Sequence, residues 1–287
     1  MGQPMASRLL RAGYALQVWN RTRSKTGPCQ ELGAQVAATP AAAVHDADLI
    51  ITMLEAGPIV HDVLSAALAQ IRPGALVIDM SSTRQSEAHA LHDWLAAHAI
   101  GFVDAPVSGG VLGAESGQLA IMAGASAENY ERAKPILSVL GNPTLVGPSG
   151  SGQLAKLCNQ LIVGGTINLV AEALLLAQAG GADPAAVRQA LRGGFAESKI
   201  LEVHGQRMLE RNFMPGGQVK SQSKDMDNIL AAAQAAALQL PQAAVITEVY
   251  HRLLATDPHA DQCAALLDLE RHNPGFRLGT GNDRKPD

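Results

Sequence analysis

The first half of the chain alternates short apolar runs with segments that repeat apolar residues at helical spacing. Such an alternation predicts βα units on a mainly parallel sheet, because each strand must be followed by a crossover helix. Strands are predicted at residues 16–19, 49–53, 76–79, 102–104 and 119–122, and helices at 5–12, 59–69, 85–98 and 127–140.

The apolar pattern changes after the Gly/Pro/Ser cluster at 147–152, where β-rich runs stop. Residues 153–179 predict one helix of about 40 Å at 1.5 Å per residue. Further helices are predicted to begin near Asp183, Ser198, Ser223, Gln242 and Asp261. We therefore predict an α/β domain at 1–148, an all-α domain at 149–272 and a flexible tail at 273–287.

Composition narrows the class of protein. The 287 residues suffice for two domains, and 47% hydrophobic with 17% charged residues excludes disorder for most of the chain. The net charge of -4, without a long basic run, predicts no nucleic-acid or membrane-surface partner.

No membrane span or secretory signal is predicted. The apolar stretch 161–176 is interrupted by two glycines, Asn168 and Glu172, and the N-terminus has no basic start before an apolar region. The three cysteines are odd in number and far apart, which favours a reducing cytoplasm.

The start of the chain carries a candidate dinucleotide site. Gly2 opens a predicted helix, whose free N–H groups and dipole favour a pyrophosphate. The turn after the next strand holds Asn20, Arg21, Thr22 and Arg23, where an NAD site prefers Asp or Glu. These groups suit a 2′-phosphate, so NADP is favoured over NAD. An ordinary helix start and a solvated basic turn are the alternatives.

Two further segments have the chemistry of a substrate site. Ser108, Gly109 and Gly110 follow a strand, and such a turn presents N–H groups and a hydroxyl to a carboxylate, although it also fits a plain turn. Lys156 and Asn159 fall on one face of the long helix, next to the Gly-rich cluster. A lone helical lysine is otherwise a solvated charge.

Together these motifs resemble the β-hydroxyacid dehydrogenase family, which contains 3-hydroxyisobutyrate dehydrogenases. The likeness covers residues 1–270 and is carried by 2–6, 12–14, 18–22, 104–117 and 150–160. It implies a Rossmann-type doubly wound sheet followed by an all-α domain with a long interdomain helix. Members begin with a strand and two glycines before the position of Gly2. We therefore expect a sheet that lacks its first strand, with unpaired neighbouring edges, and a true start upstream of Met1.

The resemblance also implies roles for individual residues. Lys156 would act as general acid and Asn159 would orient the substrate in hydride transfer between NADP(H), or NAD(H), and a short β-hydroxyacid or semialdehyde. Substrate binding is implied for Ser108, Gly109, Gly110, Asn159 and Gln160, and cofactor binding for Gly2, Gln3, Pro4, Asn20, Arg21, Thr22, Met53, Leu54, Thr83 and Lys224. Strand-end capping for Thr83 and a solvated charge for Lys224 are the alternatives.

The substrate is the most open part of the prediction. Segments 192–196 and 204–208 resemble the branch that reduces 2-hydroxy-3-oxopropionate (tartronate semialdehyde) to glycerate. Glu55 and Gly217 depart from the family pattern. The alternatives are 3-hydroxyisobutyrate dehydrogenation, a catalytically silent cofactor-binding protein and, disfavoured by Lys156, an imine reductase.

No metal and no protein partner other than the chain itself are predicted. No convergent set of His, Cys, Asp or Glu is recognisable at metal-ligand spacing. The helical pattern at 229–237 is apolar on every side, which fits contacts in a homodimer or homotetramer as well as burial within one subunit.

Overall fold

The computed structural model describes residues 1–286. The chain divides into two compact units, of which the first is Met1–Lys156 and the second begins at Leu157. The first unit therefore includes the beginning of the long helix.

The first unit is built from alternating strands and helices. Every strand and helix predicted for it is present, with ends shifted by a few residues. The strands are β1 (Gln17–Val18), β2 (Gln35–Val36), β3 (Leu49–Thr52), β4 (Leu76–Asp79), β5 (Gly101–Asp104), β6 (Val107–Ser108), β7 (Leu119–Gly124) and β8 (Gly141–Gly147). The helices are α1 (Gly2–Arg11), α2 (Gly27–Glu31), α3 (Pro40–Val44), α4 (Gly57–Ala67), α5 (Gln85–Ala96), α6 (Gly110–Ser116) and α7 (Ala127–Leu140). The short elements β2, β6, α2, α3 and α6 and the longer β8 escape the sequence prediction.

The strands of the first unit form two sheets. β1 pairs in parallel with β2, and a second sheet has the order β3-β4-β5-β7-β6, with β8 alongside β7. β3, β4 and β5 run parallel, whereas β5 and then β6 pair antiparallel with β7. Among the described residues β1 and β3 share no ladder, so each has an unpaired edge, as expected for a sheet without a strand between them.

The larger sheet is covered on both faces, which confirms the doubly wound class. Side chains alternate along β4, so that Leu76 and Ile78 pack towards α1 and α7 while Val77 packs towards α4 and α5. All three side chains are fully buried. A strand buried on both faces explains why its sequence is continuously apolar.

The second unit is helical, as predicted. Its described residues contain no β-ladder, only two isolated bridges. The helices are α8 (Ser151–Ala179), which begins in the first unit, α9 (Pro184–Leu191), α10 (Lys199–Leu209), α11 (Val219–Ala235), α12 (Pro241–Thr256) and α13 (Ala265–His272).

By length and composition alone, α8 is the one helix within residues 1–286 that could cross a bilayer. In the structure one side of it is buried, because Ile167, Val170 and Leu174 pack in the interior of the second unit. Their neighbours there include Met226 and Tyr250.

The C-terminal segment corrects one expectation. The sequence analysis expects residues 273–287 to have nothing to bury, yet Leu278 is fully buried and Asp283 pairs with the buried guanidinium of Arg211. Arg211 also donates to Glu270 at 2.7 Å and to the carbonyl of Leu278 at 2.8 Å. A buried guanidinium needs several acceptors, and the segment supplies two of them.

The start of α8 is capped by a residue from another element. Gly150 precedes the helix and has no side chain that could cap it. Instead Oδ1 of Asp104, at the end of β5, accepts from the Gly150 N–H at 2.7 Å, and Oδ2 accepts from the Gln153 N–H at 2.9 Å. The carboxylate thus satisfies two of the N–H groups that a helix start leaves open. Burial outweighs these bonds and raises the pKa of Asp104 to about 7.

This raised pKa predicts a pH-dependent stability. The ordinary pKa of an aspartate is about 4, so between about pH 4 and 7 the folded state binds more protons than the unfolded state. The free energy of unfolding should therefore fall as the pH rises. From pH 5 to pH 8 the wild type should lose about 2 kcal/mol more than Asp104→Asn in urea unfolding. The exposed Asp62→Asn is the control and should follow the wild type; parallel curves for Asp104→Asn would refute the prediction.

Candidate active site

The predicted site residues of the first unit follow the carboxyl ends of strands. Asn20 lies after β1, Met53 after β3 and Thr83 after β4, while Ser108 ends β6, which continues the direction of β5 along β7. In an open α/β sheet this is the edge at which ligands bind.

The first turn of α1 contains Gly2, Gln3 and Pro4. A Cβ added at Gly2 would lie 3.6 Å from Cβ of Met53, so the helix start adjoins the end of β3. No side chain caps this helix start, and its N–H groups can therefore serve an anion.

The turn after β1 is held by a side chain. Oδ1 of Asn20 accepts from the Thr22 N–H at 2.8 Å, which fixes the turn. Arg21 and Arg23 are exposed on either side of Thr22.

The loop after β4 is fixed by buried polar contacts. Asp79 accepts from the Thr52 hydroxyl at 2.7 Å and from the Ser81 N–H at 3.1 Å, and Leu54 N–H donates to Ser81 Oγ at 2.8 Å. Burial raises the pKa of Asp79. These bonds bring the ends of β3 and β4 together and place Leu54 beside the loop that carries Thr83.

Thr83 provides a test of whether a dinucleotide fits. Its side chain is only 4% exposed, and Oγ1 has no hydrogen-bond partner within the described chain. A buried hydroxyl without a partner is unfavourable unless a ligand supplies one. A ribose hydroxyl has the required chemistry, so the site fits a nicotinamide dinucleotide held by the residues at these strand ends.

The turn after β6 depends on glycine. Gly109 and Gly110 have φ values of 133° and 63°, which L-side chains rarely adopt. A Cβ at Gly109 would also lie 3.2 Å from the side chain of Leu119. The half-buried Ser108 precedes this turn, whose N–H groups and hydroxyl suit a carboxylate.

The long helix α8 presents the predicted catalytic residues. Lys156, Asn159 and Gln160 are all half-buried, and their spacing puts them on one face of the helix. Lys156 is the last residue of the first unit, whereas Asn159 and Gln160 belong to the second.

In the second unit an amide and carboxylate network surrounds Gln160. Its Nε2 donates to Gln222 Oε1 at 3.0 Å and to Asp225 Oδ2 at 2.8 Å, while its Oε1 accepts from Asn159 Nδ2 at 2.9 Å. Lys224 Nζ lies 3.6 Å from Asp225 Oδ1. The network therefore brings the predicted substrate residues Asn159 and Gln160 close to the predicted cofactor residue Lys224.

Sequence reasoning missed three buried polar residues. Gln153 bonds to the loop after β4, and Gln222 and Asp225 belong to the network around Gln160. Gln222 and Asp225 lie three positions apart on α11, which starts at Val219 rather than near Ser223 as predicted. Buried polar side chains at helical spacing in a unit with an apolar core are the signal that could have found them.

A separate cluster lies in the second unit around Asp261. His204, Asp261 and Cys263 have potential metal-ligand atoms within 4.8 Å of one another. However, Asp261 already accepts N–H bonds from Gly216, Gly217 and Cys263.

The charges around Asp261 fit an ion-pair cluster better than a metal site. Arg207 lies 3.7 Å from its carboxylate and His204 3.3 Å. Although burial opposes it, the nearby imidazole of His204 and the hydrogen bond from the Cys263 N–H hold the pKa of Asp261 well below its usual range. A metal ion would have to compete with the guanidinium, so the cluster anchors the loop that contains Gly217.

Comparison with known proteins agrees with this geometry. Residues 1–150 match the family model described as the NAD binding domain of 6-phosphogluconate dehydrogenase. Residues 150–269 match the model described as NAD-binding of NADP-dependent 3-hydroxyisobutyrate dehydrogenase.

Individual relatives cover almost the whole chain. The 2-hydroxy-3-oxopropionate reductase of Escherichia coli is 41% identical in an alignment 280 residues long that covers 94% of each chain. A probable mitochondrial 3-hydroxyisobutyrate dehydrogenase-like protein of Arabidopsis thaliana is 35% identical over 95% of this chain and 83% of its own. The solved 3-hydroxyisobutyrate dehydrogenase of Mycobacterium tuberculosis superposes with a TM-score of 0.85 at 27% identity, over 94% of this chain and 95% of that one. The chain belongs to the 3-hydroxyisobutyrate dehydrogenase family and is an NAD(P)-dependent β-hydroxyacid dehydrogenase.

Proposed function

We propose that the protein reduces 2-hydroxy-3-oxopropionate to glycerate with NADPH in the cytoplasm. The observation that supports this choice of substrate is the 41% identity, over 94% of both chains, to the reductase named for it. The three cysteines are free thiols, which supports a reducing compartment.

The proposed mechanism uses Lys156 and Asn159 on α8 and the turn that follows β6. The nicotinamide cofactor, when bound, supplies a hydride for the carbonyl carbon of the substrate. Lys156 Nζ donates a proton to the oxygen of that carbonyl, and in the reverse direction it accepts the proton. The Asn159 amide orients the substrate, and the N–H groups around Ser108 and Gly109 bind its carboxylate.

The side chains after β1 support the preference for NADPH. This turn carries two exposed arginines and no carboxylate. A guanidinium pairs with a phosphate through charge-assisted, bidentate hydrogen bonds, which are stronger than its single hydrogen bond to a neutral hydroxyl.

The substrate proposal is tested by comparing two reactions of the purified chain. With NADP+, kcat/KM for the oxidation of glycerate should exceed that for the oxidation of 3-hydroxyisobutyrate by at least about tenfold, the range that pocket contacts provide. The opposite order would favour the alternative dehydrogenase. NADPH binding without turnover of either compound would favour a catalytically silent protein.

Lys156→Ala should lower kcat by about 100- to 10,000-fold, the usual contribution of general acid catalysis. The affinity for NADPH, measured by fluorescence titration, should stay within about threefold because the proton donor acts on the substrate. The matched control is Lys134→Ala, which removes an exposed lysine of α7 and should leave both values unchanged. A near-normal kcat in Lys156→Ala would exclude this residue as the acid.

The combined change Arg21→Ala and Arg23→Ala should raise KM for NADPH by about tenfold or more, since losing even one charge-assisted bond to the 2′-phosphate costs about 1.5–3 kcal/mol. KM for NADH should change little. Arg11→Ala, at the exposed end of α1, controls for the loss of surface charge. Equal losses with both cofactors would contradict the assignment of the turn to the 2′-phosphate.

We further propose self-association through α8. Ile162, Leu169 and Leu176 are 67%, 65% and 74% exposed and follow one another at seven-residue intervals. This interval keeps them on one face of the helix, and an exposed apolar stripe of this kind is typical of helix pairing. The occupant that we propose is a second copy of the chain, as a homodimer or homotetramer.

The combined change Ile162→Glu and Leu169→Glu should therefore dissociate the oligomer, because it would bury charges in the contact. Sedimentation velocity should give the monomer mass for this variant and a multiple of it for the wild type. Val245→Glu places a charge on an exposed apolar position of α12 and should keep the wild-type mass. A monomeric wild type, or an unchanged oligomer in the variant, would contradict the proposal.

A further inference from the structure

The first turn of α8 carries a glutamine that is completely buried and bonded at both ends of its amide. Gln153 Nε2 donates to the carbonyl of Ser81 at 2.8 Å, and its Oε1 accepts from the N–H of Thr83 at 3.0 Å. One side chain thus satisfies the hydrogen-bonding needs of two main-chain groups in the loop after β4, where water has no access. Losing it would leave two buried polar groups unsatisfied.

The same turn of α8 is held from a second strand end. The main-chain N–H of Gln153 donates to Asp104 at the end of β5. The neighbouring Gly152 lies so close to Asp104 that an added Cβ would overlap its carbonyl oxygen. The helix therefore has no freedom to slide along its axis relative to β4 and β5.

These contacts determine the distance between two residues of the proposed site. The Thr83 N–H donates to Gln153, so this bond orients Thr83. Its buried hydroxyl has no partner in the part of the chain that the structure describes. Lys156 is three residues further along α8, about 4.5 Å along the axis and on the same side as Gln153.

We propose that Gln153 is a positioning residue that sets the separation between Thr83, whose buried hydroxyl suits a ribose of the cofactor, and the proton donor Lys156. This inference rests on the proposed function. It assigns to Gln153 no contact with the substrate or the cofactor. Its effect is exerted through the loop after β4 and through the helix that carries Lys156.

The first test is the isosteric change Gln153→Met. Misplacement of a catalytic group by about 1 Å lowers rates by about 100-fold, so kcat should fall by about 10- to 100-fold. KM for the semialdehyde and the NADPH affinity should change by less than about threefold, because neither ligand loses a contact. The kinetic isotope effect with 4-deuterated NADPH should increase, because hydride transfer becomes more rate-limiting.

The matched control is Gln178→Met on the same helix. Gln178 also bonds through both ends of its amide to main-chain groups, those of Arg277 and Gly279, but lies seven turns away from Gln153. A loss of helix anchoring alone would affect this variant similarly, whereas the positioning role predicts a wild-type kcat and isotope effect.

The change Gln153→Glu keeps the proposal testable if the methionine variant folds poorly. The introduced carboxyl, when protonated, can still donate to the Ser81 carbonyl and accept from Thr83; when ionised, it has no proton to donate. The charged or titratable groups nearby are Asp104, which accepts from the main-chain N–H at position 153, Asp79, which accepts from the Ser81 N–H, Lys156 one turn along α8, and His89 of α5 near Gly150. Burial raises the pKa of the introduced group, because its charged form would lose its hydration.

The activity of Gln153→Glu relative to wild type should therefore fall at least tenfold from pH 6 to pH 8, with Gln178→Glu constant over the same range. A constant ratio for Gln153→Glu would overturn the proposal. So would an unchanged kcat and isotope effect in Gln153→Met.

Hydrogen exchange separates this inference from the proposed function. In the wild type and in Gln178→Met, the amide of Thr83 should exchange slowly, and in Gln153→Met at least tenfold faster. An unchanged exchange rate overturns the positioning role whatever the substrate is. Slow exchange in a wild type that does not reduce the semialdehyde would instead count against the proposed substrate alone.

Discussion

The attachment of α8 to the strand ends is the constraint on which the rest of the site depends. Asp104 accepts the N–H groups at the helix start, and Gln153 bonds to the loop after β4. All these groups are buried, so each must be paired within the protein. Buried polar bonds are directional, unlike apolar contacts. They therefore fix the axial position of the helix that carries Lys156.

The same loop connects this attachment to the cofactor side of the first unit. Asp79 and Ser81 join the ends of β3 and β4, and Thr83 leaves a buried hydroxyl without a partner within residues 1–286. In the second unit Gln160 and Asp225 extend the polar character of α8 towards Lys224. Hydride transfer develops charge on the carbonyl oxygen of the substrate. Polar groups that are already fixed stabilise this charge without having to reorganise during the reaction.

Local sequence patterns predicted the strands and helices whose apolar residues are buried in the core. β4 is continuously apolar because both faces are covered, and it was located without error. β8 was missed because Gly141 and Pro143 are typical turn residues; Gly141 is needed there, since any Cβ would overlap the main chain of Leu119. The C-terminal segment was expected to fray because the pairing of Asp283 with Arg211 is a contact over 72 residues.

The site was predictable where motifs are local and was missed where partners are distant in sequence. Lys156, Asn159 and Ser108 were predicted from local motifs and the family resemblance, and their roles stay predictions, whereas Gln153 and Asp225 bond to groups 65 to 72 residues away. The most direct test of the account is the fate of the hydride. The substrate is 2-hydroxy-3-oxopropionate, and the NADPH carries deuterium at C4 of the nicotinamide, on the face from which the hydride is transferred. Mass spectrometry should find one deuterium on carbon in each glycerate formed. Oxidation of the cofactor without deuterium in glycerate, or no glycerate at all, would contradict it.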